Sequence, residues 1–117
     1  PLCTERGVKL TIGGPYNSGI LARDLDQPVA FDYQRAPEHL VDKAKALKAV
    51  CQRHGVELRA AALQFIFGHE AVISVVPGAA TVAELEDNAR VMQAEIPPAL
   101  WDELKGEGLL PDNAPTP

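Results

Sequence analysis

The chain has 117 residues, 46% apolar and 23% charged, with a formal net charge of −5. This fits one small domain or a piece of a larger one. Acidic and basic residues alternate without a basic stripe, which argues against nucleic acid or an anionic membrane as a partner. No apolar run approaches the ~20 residues of a bilayer span, and no signal-peptide pattern opens the chain. Cys3 and Cys51 lie far apart in helix-like apolar patterns. They read as buried free thiols in a reducing, cytoplasmic setting. His39, His54 and His69 stand apart from any cysteine or close carboxylate pattern, so they read as surface or helix-end residues and no metal site is expected.

In chain order, residues 1–6 (PLCTER) have the composition of a helix end, with Gly7 as its C′ residue. A lone turn does not offset its own nucleation cost, so the sequence reads as starting inside a larger fold. Residues 8–12 (VKLTI) read as a strand that runs into the turn-rich loop of residues 13–19, GGPYNSG. Its glycines allow close backbone approach, and Asn17 and Ser18 offer hydrogen-bonding side chains. Residues 20–35 read as an irregular connection long enough to be a lid or binding loop, with a short extended piece around Phe31 and Tyr33.

Residues 37–54 form the clearest helix, with Pro37 placed at the first helical position. Leu40, Val41, Ala44, Leu47 and Cys51 make its apolar stripe, and Asp42, Lys43, Lys45, Lys48 and Arg53 its solvated face. Gly55 ends it. A second helix spans about residues 57–67 with Leu58, Ala61, Ala62, Phe65 and Ile66 on one side, and Gly68 stops it. Residues 72–76 (VISVV) have the composition of a fully buried strand, which breaks at Pro77-Gly78 and restarts as a helix at Thr81. Thr81 is the expected N-cap and Glu84 its capping-box partner, with Val82, Leu85, Ala89 and Met92 at helical spacing behind them. Free N–H groups and a positive dipole end would then lie at a strand's carboxyl edge, where an anion can sit. A short last helix follows Ile96-Pro97-Pro98, with Trp101 and Leu104 packing on the body; residues 106–117 read as frayed.

Strands alternating with helical segments imply parallel β/α units. Two strands alone cannot make a stable parallel sheet, so the fold class is α/β, a part of a barrel or doubly wound sheet with further strands elsewhere. A flavodoxin-like domain is the weaker alternative.

Three blocks, ERGVKLTIGGPYNSGIL, AAALQFIFGHEAVISVVPGAATVAELEDN and IPPALWDELKGEGLL, resemble the C-terminal third of the aldo-keto reductases. They look most like the branch that holds bacterial aldose dehydrogenases and pyridoxal dehydrogenase. The resemblance covers nearly the whole chain apart from residues 22–35. It implies the C-terminal portion of a (β/α)₈ barrel, with residues 8–12 as the seventh strand, residues 72–76 as the eighth, and residues 1–117 as one segment of a single barrel domain. It further implies a nicotinamide cofactor, bound where those two strands end. Carried over by position, Gly14, Pro15, Tyr16, Asn17, Ser18 and Gly19 would wrap the pyrophosphate and nicotinamide side. Gly78, Ala79, Ala80 and Thr81 would face the adenosine ribose and any phosphate on it, and Asp87 and Asn88 would sit near the adenine.

The sequence departs from the family pattern at two of these positions. Glu84 stands where NADP-dependent members usually carry an arginine, and Gly78 where a lysine is common. A carboxylate repels a 2′-phosphate and can instead accept hydrogen bonds from ribose hydroxyls, so NAD is preferred over NADP. The competing role for Glu84 is simply to close its capping box. No segment matches the family's catalytic tyrosine, lysine, aspartate and histidine, so no catalytic residue is expected in this sequence, and Tyr16 and Tyr33 are not candidates. The implied activity is hydride transfer between NAD(P) and an aldose or other aldehyde or lactol. The implied partners are that small molecule and the remainder of the barrel. The alternative is a non-catalytic α/β module completed by a partner chain.

Overall fold

The computed structural model describes residues 1–117. In chain order it contains α1 (Leu2–Glu5), β1 (Leu10–Gly13), a 3₁₀ turn (Asn17–Gly19), β2 (Ala30–Phe31), β3 (Gln34–Arg35), α2 (Glu38–Arg53) and α3 (Leu58–Phe65). A second 3₁₀ turn (Ile66–Gly68), β4 (Val72–Val76), α4 (Val82–Met92) and α5 (Pro98–Gly106) complete it. The two expected strands are direct parallel neighbours. Thr11 lies opposite Ser74, Ile12 opposite Val75 and Gly13 opposite Val76, after a register shift between Leu10 and Thr11. Both strands therefore end on the same edge, and each chain continuation leaves from that edge.

The main core lies between helices rather than under the sheet. Val50 and Cys51 of α2, Ala60, Ala61 and Leu63 of α3, Val91 of α4, and Leu100, Trp101 and Leu104 of α5 are buried together with Val56. Phe65 and Trp101 meet at a ring-centroid distance of 6.0 Å, tilted by 38°, a favourable aromatic geometry. Gln64 ties α3 to the end of α4, its Nε2 donating to the carbonyls of Val91 (2.9 Å) and Ala94 (2.8 Å). The Val91 carbonyl also accepts from the Ala94 amide at 3.3 Å, so Gln64 reinforces the C-terminal turn of α4.

Several expectations change. The apolar run of β4 is not buried: Ile73 is 62% exposed and Val76 59%. The sheet has two strands only, β1 and β4, too narrow for both of its faces to be covered as a parallel sheet's usually are. The stripe expected on α4 also faces outward, with Val82 71% and Leu85 60% exposed, while Asn88 and Val91 turn inward. Helical spacing gives the period of a stripe, and the packing partner decides which stripe is buried. Pro37 is the N-cap of α2 (φ −59°, ψ 146°), and Glu38 is the first helical residue. Cys51 is buried as expected, whereas Cys3 is only half-buried.

Residues 20–35 are more ordered than their composition suggests. Ile20, Leu25, Val29 and Ala36 bury against Ala44 of α2, and β2 pairs with β3 as a tight antiparallel hairpin. Asp32 (φ 50°) and Tyr33 (φ 61°) both take left-handed backbone at its tip, as a two-residue hairpin of type I′ demands. The C-terminal segment is laid on the body rather than frayed. Leu109 and Leu110 pack on the main core, and both amides donate to the Leu104 carbonyl. Further on, the backbone at Pro115 crosses Gly68 so closely that a Cβ there would meet the Pro115 carbonyl oxygen at 2.6 Å.

The cysteine environments predict different reactivities. Burial pushes the Cys51 thiol up to about 11, so at pH 8 it is protonated and shielded, and the thiolate is the reactive form. With Ellman's reagent at pH 8, Cys3 should react first, and Cys51 only after denaturant is added. A Cys3→Ser variant should react only after denaturant is added.

Candidate dinucleotide site

Each strand carboxyl end supplies one half of a cleft edge. After β1 the chain turns through Gly14 (φ 62°), and Asn17 (φ 48°), Ser18 (φ 60°) and Gly19 (φ 99°) also adopt left-handed backbone. Non-glycine residues held in that region carry strain that the surroundings must outweigh, a pattern concentrated at functional loops. Ser18 helps to hold it: its Oγ accepts from the Tyr33 amide at 3.0 Å, joining the loop to the β2–β3 hairpin.

After β4, residues 78–81 run exposed into α4. Thr81 is the N-cap, its hydroxyl accepting from the Glu84 amide at 3.2 Å. Glu84 closes the reciprocal bond one residue earlier than a standard capping box, its Oε2 accepting from the Ala80 amide at 2.6 Å. By helix geometry the N–H groups of Val82 and Ala83 have no partner inside the helix and point toward the same edge. Gly78 borders open space, with no atom within 4 Å of where a Cβ would be. The donor set is therefore bare amides, a helix N-terminus and a hydroxyl, chemistry that suits a pyrophosphate and ribose.

The two halves are joined by side chains 72 positions apart. The Tyr16 hydroxyl donates to Asn88 Oδ1 at 2.9 Å, and Asn88 Nδ2 donates to the Gly78 carbonyl at 3.4 Å. Asn88 is only 9% exposed. Burial raises the Tyr16 phenol above its ordinary value; the nearby Arg59 charge opposes the shift and Asp87 adds to it. Asp87 turns aside into an ion-pair cluster with Arg59 and Arg90, and Glu57 bridges the same two arginines at 2.8 Å. Hydrogen bonds from Arg90 and then Arg59 hold the Glu57 carboxyl below its usual range. In this cluster two cations meet two anions.

Thus Gly14, Pro15, Tyr16, Asn17, Ser18 and Gly19 share one edge with Gly78, Ala79, Ala80, Thr81 and Glu84, and Asn88 lies between the two groups, while Asp87 is engaged elsewhere. Arg90 is an i,i+3 neighbour of Asp87 on α4 that helical spacing could have shown, whereas Arg59 and Glu57 come from the start of α3 and were not legible beside it. A cavity of about 520 Å³ opens at the β1 loop, lined by Gly14, Pro15 and Asn17 and walled mainly by apolar side chains of α2, α3 and α5. None of residues 78–81 lines it.

The sequence profile described as "Aldo/keto reductase family" matches residues 1–106. The chain belongs to the aldo/keto reductase family. It is 37% identical over 110 residues to pyridoxal 4-dehydrogenase of Microbacterium luteolum, covering 94% of this chain and 32% of that protein. It is 36% identical over 112 residues to D-threo-aldose 1-dehydrogenase of a Pseudomonas species, covering 95% and 34%. The chain thus spans about a third of the length of the curated relatives it matches. Among solved structures, aldo-keto reductase AKR11C1 from Bacillus halodurans superposes in its holo form with a TM-score of 0.64 at 25% identity, over 93% of this chain and 36% of that one. The apo form superposes at 0.66 and 24% identity, over 91% and 36%, a likeness of fold. The fold is accordingly part of a (β/α)₈ barrel, and β1 and β4 correspond to its last two strands.

Proposed function

We propose that this chain is the cofactor-side segment of an NAD-dependent oxidoreductase that interconverts an aldehyde, aldose or lactol with its oxidised or reduced partner. The observation that carries this reading is the parallel pairing of β1 with β4. It sets a strained glycine loop and a capped helix N-terminus side by side in a member of a reductase family. Pyridoxal 4-dehydrogenase and D-threo-aldose 1-dehydrogenase as relatives support the substrate class, and the holo form of AKR11C1 supports a bound cofactor.

Residues 14–19 and 78–81 would hold the dinucleotide, which when bound supplies or accepts the hydride. Glu84 Oε2 is occupied by the Ala80 amide, but its other oxygen can accept from a ribose hydroxyl while the charge repels a 2′-phosphate. Tyr16 is committed to Asn88, so the general acid for the carbonyl oxygen is expected from other strands of the barrel. The uncovered apolar faces of β4 and α4 suit those strands and helices as neighbours.

Purified full-length protein, mixed with NAD and a panel of aldoses and pyridoxal, should develop the absorbance of NADH with at least one substrate. No absorbance change with any aldehyde or sugar, in either direction of reaction, would reject the reading. An intact mass of only 117 residues with no companion chain would instead favour a non-catalytic module.

A further inference from the structure

We propose that the cavity between the β1 loop and the helices binds an amphipathic monocarboxylate, an apolar chain that ends in one anionic group. One of its walls, the β1 loop, also borders the dinucleotide edge, but the site stands without a dinucleotide.

The cavity of about 520 Å³ falls within the ~300–1,000 Å³ usual for small-molecule sites. It lies where the two buried clusters of the chain meet. Ile20 and Ala44 line it from one cluster, and Cys51, Ala61, Trp101 and Leu104 from the other. Apolar walls that face a gap forgo dispersion contacts on that side. They also offer water few hydrogen-bonding partners. A hydrocarbon chain supplies the missing contacts without leaving a polar group unpaired. The bare apolar side chains of β4 and α4 (Ile73, Val76, Val82 and Leu85) do not line this space, so the faces that suit further β/α units lie elsewhere.

The charge that selects the ligand sits at the rim. Asn17 and Lys43 are the polar side chains of the lining, and Lys43 is the only charged one. Lys43 is exposed and lies on α2 three residues after Leu40 and four before Leu47, at the edge of the apolar stripe. The ion pairs of the chain use Arg53, His54, Arg59 and Arg90, which leaves Lys43 without a carboxylate partner. A lysine stem covers apolar surface while its ammonium stays in water. A carboxylate can therefore meet Lys43 at the mouth, still hydrated, with its chain inside. That arrangement avoids the cost of burying an ion. A cationic head group would meet repulsion at the same place.

Calorimetry of the full-length protein with decanoate and with decyltrimethylammonium, which pair similar chains with opposite charges, tests the site. Wild type should bind decanoate with a Kd of roughly 10–100 µM. It should prefer decanoate to the cation about tenfold, attraction and repulsion each contributing the roughly threefold effect of an exposed charge pair. Lys43→Glu should reverse the preference. Lys45→Glu, on the same helix but outside the lining, should leave it within about twofold. Ala62→Phe puts a ring into the cavity from α3 and should abolish decanoate binding. Saturating NAD should leave the decanoate Kd within about twofold. No binding of decanoate by wild type, equal binding of the two ions, or an unreversed preference in Lys43→Glu would overturn the proposal, and these arms change no core residue. Decanoate binding by Ala62→Phe at wild-type affinity would also overturn it. So would displacement of decanoate by NAD, which would put the chain in the dinucleotide cleft. Failure of wild type to bind NAD, with the decanoate results as expected, would remove the dinucleotide reading and support a separate carboxylate site.

Discussion

Leu100→Ala should lower the unfolding free energy by about 3 kcal/mol. Leu100 is fully buried and meets residues from α2, α3 and α4 in one cluster. Its removal takes away the transfer free energy of the lost atoms and leaves a cavity that rigid helices cannot fully collapse into. The effect should be large here because the helices contain most of the buried apolar side chains and the two strands almost none. Leu85→Ala is the control: at 60% exposure it should change stability by no more than about 0.5 kcal/mol in this chain. Urea unfolding followed by tryptophan fluorescence measures both. A Leu100→Ala midpoint equal to that of Leu85→Ala would mean that α5 does not pack as described.

Glu84→Arg should turn cofactor preference from NAD toward NADP by about 30- to 100-fold in the ratio of dissociation constants. The substitution removes a negative charge and adds a positive one. Each change, at roughly 4–5 Å from a phosphate near a partly shielded surface, is worth between ~1 and ~4 kcal/mol. Discounting for the exposure of Glu84 and for salt leaves a combined swing of about 2–3 kcal/mol. The neighbouring arginines do not mask the effect, because Arg59 and Arg90 are already neutralised by Glu57 and Asp87. There is also a stability cost. The Ala80 amide loses its acceptor, and a cation replaces an anion in the first turn of α4, against the dipole, for about 1 kcal/mol in all. Titrations of wild type and variant with both dinucleotides decide the matter. Tighter binding of NADP than NAD by wild type would refute the proposed preference before the variant is made.

The exposed faces of β4 and α4 bear on the same site. Ile73 and Val76 of β4 and Val82 and Leu85 of α4 are large apolar side chains left exposed, and exposed apolar surface of this kind can mark an interaction face. In a barrel each strand has two neighbours and each helix packs between others, so the faces left bare here are those that further β/α units would cover. The edge where β1 and β4 end has its own internal ties: Thr81, Glu84, Tyr16 and Asn88 bond across it from within the chain.

The local features were legible in the residues themselves. A threonine three places before a glutamate marks a helix start, alternating β-branched residues mark β1, glycine stops α2, and helical spacing predicts α2, α3 and α5. Each is set by interactions within a turn or two, so the chain carries the whole signal in a short window. The family resemblance added the barrel and the shared strand edge, which spacing alone does not contain. Only the tertiary structure decided which stripe of α4 is buried, that Asn88 bonds Tyr16, and that Arg59 of α3 reaches Asp87. Those outcomes depend on groups up to 72 positions apart, brought together by the pairing of β1 with β4 and the packing of helices around Leu100, and no local preference of either partner encodes the meeting.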